Sequence, residues 1–234
     1  MRKLAVITSG TKGIGRATVE KFFSQGFDIV TCARNAEDLL KLKESLCSTG
    51  EGEVYVRPTD MSVRSEVAAF AEYVKSLSRP VDVLLNNTGV FIPGSIHEEE
   101  EGNLEKMIET NLYSAYHLSR ALVEDMKARK EGHIFTTGSI AGFTAYANGG
   151  SYAISKFALL GFTKCLRQEL KDFGIRVTSV LPGATFTASW EGVELPQERF
   201  MKPEDIAEAI YSAHSLSKQT VVEEIVLRPQ LGDI

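Results

Sequence analysis

A tyrosine and a lysine four positions apart, Tyr152 and Lys156, are the residues of this chain best placed to move a proton. At that spacing two side chains share one face of a helix. A phenol has an ordinary pKa of about 10, and a neighbouring ammonium lowers it by favouring the phenolate. Of the seven tyrosines, only Tyr152 has a lysine at this offset. Thirteen positions before it stands Ser139, in Thr137-Gly138-Ser139, a hydroxyl that could hold an oxygen on which charge develops. The three suit hydride transfer at a carbonyl carbon, where the developing alkoxide needs a proton donor. Many helices carry a Tyr-x-x-x-Lys pair by chance, so the setting decides its meaning.

An anion site stands near the N-terminus. Thr8-Ser9-Gly10-Thr11-Lys12-Gly13-Ile14-Gly15 follows a short apolar run and precedes a helix-period stretch. Glycines let backbone pass close to a pyrophosphate, and the free N–H groups of a helix start favour an anion. Glycines also mark ordinary turns; the strand before and helix after give residues Ser9 to Gly15 their meaning. About 20 residues on, a dinucleotide site for NAD needs an acidic side chain at the ribose 2′-hydroxyl. The second apolar run ends instead in Thr31-Cys32-Ala33-Arg34, and Arg34 could pair a 2′-phosphate with Lys12 as a second cation. Glu37 and Asp38 fall in the next helix, where first-turn carboxylates are ordinary. The expected cofactor is NADP(H) rather than NAD(H). The plainer alternative leaves Arg34 a solvated surface charge.

These residues need a frame. Apolar runs Leu4–Thr8, Asp28–Cys32, Glu53–Arg57, Asp82–Leu85, His133–Thr137, Arg176–Leu181 and Val221–Leu227 alternate with helix-period stretches. The latter are Ile14–Gln25, Ala36–Leu46, Val63–Leu77, Leu104–Arg129, Tyr152–Phe173 and Pro203–Leu216. Strands that are apolar nearly throughout fit a parallel sheet covered on both faces. The expected fold is therefore α/β, a single Rossmann-like doubly wound parallel sheet of about seven strands flanked by helices, with ligand at the strand C-termini. Residues 1–234 are expected to form one domain for both dinucleotide binding and catalysis. The run Glu98–Glu101 reads as a helix opening or a solvated loop rather than a catalytic carboxylate pair.

Composition narrows the partners. The net charge is −5 and no block of Lys or Arg occurs, so neither nucleic acid nor an anionic membrane is expected as a partner. No apolar run reaches about 18 residues, and a membrane span or secretory signal is not expected. Cys32, Cys47 and Cys165 are odd in number and far apart, which fits a reducing cytoplasm. His97, His117, His133 and His214 show no metal-ligand spacing, so no metal is expected.

Taken together, the motifs resemble the short-chain dehydrogenases/reductases from Lys3 to about Pro229. The resemblance includes the glycine loop, Asp60, Asn86-Asn87-Thr88-Gly89, Asn111, Ser139, Tyr152-x-x-x-Lys156, and Pro182-Gly183 followed by Thr187. The pair Lys12 and Arg34 is similar to that of NADP-preferring members. The resemblance implies that Tyr152 is general acid or base and that Lys156 holds the nicotinamide ribose and depresses the Tyr152 pKa. It implies that Ser139 bonds the substrate oxygen and that Asn111 supports a water-linked proton relay. Asp60 with Met61 would line the adenine, Asn87 and Gly89 the cofactor, and Pro182, Gly183, Thr185 and Thr187 its nicotinamide end. Singly, Asn111, Asp60 and Thr187 could be helix-distorting, turn or loop residues. Two departures stand out. Ser9 occupies the family's first glycine position, where φ > 0 would cost a side chain about 1–2 kcal/mol unless Gly10 takes over the turn. Thr178 replaces an asparagine before the Pro-Gly turn.

The segments after strand ends should wall the substrate pocket. They hold Val90, Phe91, Ile92, Ile140, Phe143, Tyr146, Phe186, Trp190 and Phe200, with no fixed cation to grip a carboxylate or phosphate. A mainly apolar ketone or aldehyde, or its alcohol, is the expected substrate, although aromatics also build cores and interfaces. A 3-oxoacyl-thioester or pteridine-type reductase is a further option within the family. Outside enzymes, the alternative is an inactive NADPH-binding regulator, which the presence of both Tyr152 and Lys156 disfavours. Small and apolar residues of the two long helices (Ala115, Ala121, Ala158, Leu159, Leu160, Phe162) lead us to expect a homodimer or homotetramer.

Overall fold

The structure, a computed structural model, describes residues 2–187 and 195–234. Seven strands form among them: β1 (Leu4–Thr8), β2 (Asp28–Ala33), β3 (Val54–Pro58), β4 (Val83–Asn86), β5 (Gly132–Thr137), β6 (Ile175–Pro182) and β7 (Glu224–Leu227). They make one parallel sheet in the order β3-β2-β1-β4-β5-β6-β7. The order reverses between β1 and β4, and the crevice at that switch point, past the strand C-termini, is where such sheets take ligands.

Helices α1 (Gly13–Ser24), α2 (Ala36–Cys47) and α7 (Pro203–Ser215) cover one face, and α3 (Arg64–Ser76), α5 (Ser114–Arg129) and α6 (Gly150–Leu170) cover the other. A short α4 (Asn103–Ile108) leads into α5. All five residues of β1 are buried because each face meets its own core. Leu4 and Val6 pack with Phe70, Leu118 and Met126, while Ala5 and Ile7 pack with Phe22, Ile206 and Ile210. The alternation follows from the strand's two-residue period.

The stretch Leu104–Arg129, expected as one helix, is interrupted. Residues Glu109–Tyr113 make a π-helical turn between α4 and α5. A π turn inserts one residue into the helical ladder, and such bulges gather at functional sites. Asn111, at its centre, is fully buried.

Two histidines lie at the opposite end of the sheet from this rim. Thr178 Oγ1 donates to the Val222 carbonyl at 2.6 Å, so at 2.8 Å it accepts from His133 Nε2, which fixes the proton there. That leaves His133 Nδ1 bare and unpaired, and His214 Nδ1 is also buried without a partner. Thr178 is thus committed inside the sheet. Burial, with Arg176 and His214 nearby, holds His133 well below its ordinary pKa. Burial, then the Arg176 and Lys3 charges, pushes His214 down to about 4 against the opposing pull of Glu131.

Both imidazoles are therefore neutral in the fold and charge below about pH 6.5 in the unfolded chain. The unfolded state binds more protons in that interval, so stability is complete above about pH 6.5 and declines as pH falls toward 4. Urea midpoints measured across this range should fall with acidity in the parent chain. They should fall less steeply in His214→Phe, whose ring sits among Phe22 and Phe27; equal slopes would contradict the assignment.

Candidate active site

The loop joining β1 to α1 carries the strain expected of a phosphate cradle. Ser9 has φ +55° and Gly13 φ +53°, so the left-handed position falls on the serine, and Gly10 does not take it over. Its hydroxyl lies 2.8 Å from Thr88 Oγ1, a bond that offsets part of the cost. Gly10 is needed for space instead: a Cβ there would fall 2.1 Å from Thr31 Oγ1. At Gly15 a Cβ would meet the Ser9 carbonyl at 2.2 Å and Asn87 Nδ2 at 2.5 Å.

The N-terminus of α1 has neither a side-chain cap nor an acidic residue in its first turn. By contrast, Asn35 Oδ1 caps α2, accepting the N–H groups of Glu37 and Asp38 at 2.8 and 3.1 Å. The uncapped donors of α1 face the switch-point crevice and can take an anion. Lys12 and Arg34 are both exposed beside it, Thr11 is half-buried, and Ile14 turns toward the core. These features fit a dinucleotide phosphate.

The neighbouring strand ends are tied to this loop. Thr8 Oγ1 accepts the N–H groups of Asn87 and Thr88 at 2.9 and 3.1 Å, and Asn87 Oδ1 accepts Thr137 Oγ1–H at 3.1 Å. Asn87 therefore stitches three strand ends together. Asp60 makes a turn, its Oδ1 accepting the Ser62 N–H and hydroxyl at 2.9 and 2.7 Å. Burial raises its pKa, but the Ser62 bonds and the Arg34 charge outweigh that and leave it below the ordinary value. Met61 keeps its side chain in the core with Val6 and Phe70, so it is through its backbone that it can line an adenine. Pro182 closes β6, the Thr185 hydroxyl donates to the Gly183 carbonyl at 3.1 Å, and Thr187 sits beside Gly13.

Ser139, Tyr152 and Lys156 converge at the rim past β5. The Ser139 hydroxyl accepts the Ala141 N–H at 3.1 Å and stands near enough to the Tyr152 phenol to lower its pKa. Lys156 is 4% exposed; its Nζ donates to the Thr137 carbonyl at 3.0 Å and lies 5.6 Å from the Tyr152 ring centre. Gly89 leaves room for it, since a Cβ there would stand 3.3 Å from Lys156 Nζ and 3.5 Å from Asn111 Oδ1. Asn111 Oδ1 accepts the Val90 N–H at 2.7 Å, while its Nδ2 donates to the Val90 carbonyl at 3.0 Å and to Ser155 Oγ at 2.9 Å. Asn111 thus distorts its helix and also joins the site.

Burial dominates the protonation of the two central groups. It pushes Tyr152 up to about 12, Ser139 lowers it only in part, and Tyr146 raises it further. Lys156 is itself pushed down to about 8 by burial. Desolvation is the largest influence on the phenol, and the chain's own groups keep it protonated.

The walls are apolar on the near side. Phe91 meets the Tyr152 ring edge-on at 4.8 Å, and Phe143 and Tyr146 are exposed beside it. Phe186 packs on the buried Phe200, whereas Trp190 lies outside the described residues. A cavity of about 670 Å³ lined by Phe186, Met201 and Pro203 includes none of the candidate catalytic residues. One cation does reach the rim: the Arg228 guanidinium lies 5.9 Å over the Phe143 ring and pairs with Asp233. Its distance in sequence hid it. Glu99, read as solvated, is half-buried against the start of α6.

A family model described as short chain dehydrogenase matches residues 3–197. This chain belongs to the short-chain dehydrogenase family. A sepiapterin reductase of Chlorobaculum tepidum is 34% identical over 243 residues, covering 100% of this chain and 99% of the relative. Among solved structures, an alcohol dehydrogenase from Thermococcus sibiricus, complexed with 5-hydroxy-NADP, superposes with a TM-score of 0.92 at 28% identity, covering 98% and 97% of the two chains. A metagenomic short-chain oxidoreductase in complex with NADP gives 0.85 at 32% identity, covering 97% of each.

The glycine packing of this short-chain dehydrogenase is directly testable. In Gly15→Ala the methyl must displace the Ser9 carbonyl or the Asn87 amide, an overpacking that costs about 1–3 kcal/mol. Urea denaturation should show that loss, and an unchanged midpoint would refute the packing.

Proposed function

We propose that this oxidoreductase reduces a mainly apolar ketone or aldehyde with NADPH, using Tyr152 as the proton donor. The single observation that carries the reading is the convergence of Ser139, Tyr152 and Lys156 at the switch-point rim. When bound, the nicotinamide supplies the hydride. The remaining work falls to side chains. Ser139 presents a hydroxyl to the carbonyl oxygen, and Tyr152, held as a neutral phenol, gives that oxygen its proton. Lys156 remains largely charged at neutral pH with a pKa of about 8, so it can hold ribose hydroxyls and favour the phenolate left behind. Asn111, beside Gly89 and Val90, would support re-protonation from solvent.

The cofactor reading rests on the uncapped α1, the strained loop, and the exposed cations Lys12 and Arg34. The two solved structures described above, both with an NADP-type molecule bound, are consistent with it. The walls Phe91, Phe143 and Tyr146 favour a flat, apolar substrate. The sepiapterin reductase relative supports a narrower second reading, a carbonyl borne on a pterin ring.

We also infer a homo-oligomer, though from other residues than first expected. Ala115, Leu159 and Leu160 are buried within the protomer, whereas Ile154 and Phe157 of α6 are exposed and apolar. Among the described residues, no helix is long and apolar enough to cross a membrane.

Two measurements test the enzyme reading. Across a panel of acetophenone, an aliphatic methyl ketone, a 3-oxoacyl thioester and sepiapterin, the parent chain should oxidise NADPH. Tyr152→Phe keeps the ring but lacks the proton, and should lower turnover by about 10²–10⁴. Parent-like turnover in that variant would end the reading. Separately, Arg34→Leu should weaken NADPH binding by roughly tenfold or more through the lost charge-assisted pair while sparing NADH. Equal loss for both cofactors would remove the 2′-phosphate from the account.

A further inference from the structure

Helix α6 bears Tyr152 in its first turn, yet its own sequence gives it no cap. Gly149 at the cap position has no side chain, and the first turn holds no acidic residue. A carboxylate reaches it instead from 52 positions away: Glu99 Oε2 accepts the Ser151 N–H at 3.4 Å, and Glu99 Oε1 accepts the Ser151 hydroxyl. Two further bonds tighten the same contact. The Gly94 N–H donates to the Asn148 carbonyl at 3.1 Å, and the Ser95 hydroxyl donates to Asn148 Oδ1 at 2.9 Å.

The clasp closes on left-handed backbone. Asn148 has φ +60° and Gly150 φ +25°. A Cβ on Gly150 would fall 2.4 Å from the Gly94 carbonyl and 3.1 Å from Glu99 Oε2. Such conformations persist where the surroundings over-determine them. Of the run Glu98–Glu101, Glu99 alone is half-buried and the other three are exposed.

Both strands of the clasp lead to the reacting groups. Upstream of Gly94, the backbone of Val90 is bracketed by the Asn111 amide, and Phe91 lies edge-on to the Tyr152 ring. Downstream of Asn148, Ser151 immediately precedes Tyr152. We propose that Glu99 is a positioning residue for Tyr152, its carboxylate capping α6 from across the fold and fixing the substrate-side segment against the helix that carries the phenol. This rests on the reading of Tyr152 as proton donor, and it acts through geometry: displacing a reacting group by about 1 Å can cost as much as 10²-fold in rate.

The test compares four full-length variants: Glu99→Ala, Glu99→Gln, Glu100→Ala and Tyr152→Phe. Each is assayed with NADPH and the carbonyl that the parent reduces fastest in the panel above. Amide exchange of the peptide spanning residues 148–156 is followed alongside. Glu99→Ala should lower kcat by about tenfold or more while the KM for NADPH stays within about twofold, and should speed exchange in that peptide. Glu99→Gln retains an acceptor oxygen and should restore both readouts. Glu100→Ala, a charge removed from the exposed part of the same run, should match the parent.

The proposal is overturned by parent-like kcat or unchanged exchange in Glu99→Ala. It is equally overturned if glutamine fails to rescue and the NADPH KM rises in step with the loss of kcat. A parent inactive on the whole panel, or an active Tyr152→Phe, would sink the catalytic reading instead. Exchange would still decide whether Glu99 orders the start of α6.

Discussion

An ammonium held out of water organises this molecule. Lys156 is 4% exposed, and burial alone pushes its pKa down to about 8. Its tolerance depends on what surrounds it. The Thr137 carbonyl at the end of β5 accepts from Nζ at 3.0 Å, and Gly89 keeps the space beside Nζ free of a Cβ. Gly142 lets its own segment approach the backbone of α6, where a Cβ would stand 2.9 Å from the Lys156 carbonyl. Strand β5 and the loop after β4 meet the Lys156 side chain, and the turn before α6 packs on its backbone. A buried charge without such partners would neutralise or unfold its surroundings.

That constraint explains which parts of the fold could be read from the chain. Strand β1 was legible to the residue, because five consecutive buried positions leave an unmistakable apolar run. The helices emerged to within three residues at each end, since their apolar faces repeat locally. The π turn at Glu109–Tyr113 did not, because it exists for the contacts of Asn111 with Val90 and Ser155, partners far away in sequence. Glu99 was hidden for the same reason: among three other glutamates nothing local marks the one that turns inward. Leu159 and Leu160, expected at an interface, are core, and Met61 can line a cofactor only through its backbone. Composition alone cannot tell which apolar side chain faces the protomer's own interior.

Backbone strain is distributed in a telling way. Some left-handed residues do routine work at helix ends, as Gly26 does after α1 and Lys130 after α5. Ser9, Gly13, Asn148 and Gly150 are different, because they cluster around the crevice at the sheet's C-terminal rim. The two that carry side chains are held by long-range partners, Ser9 by Thr88 and Asn148 by Ser95 and Gly94, while Gly13 and Gly150 take φ > 0 without strain. Local sequence would relax these turns, so the strain is a measure of how firmly the surrounding elements set the rim.

The same rigidity bears on direction. A phenol beside a positive charge would ordinarily lose its proton more readily, yet here burial wins and holds Tyr152 near 12. A phenol raised this far stays protonated but is a weaker acid, so giving its proton to a carbonyl oxygen leaves a phenolate that needs stabilising. Oxidising an alcohol needs the phenolate, and therefore a further positive charge to offset the desolvation that the apolar neighbours impose. Both directions therefore depend on positive charge at the phenolate, while Phe91 packs against the ring and Tyr146 raises the pKa further through charge.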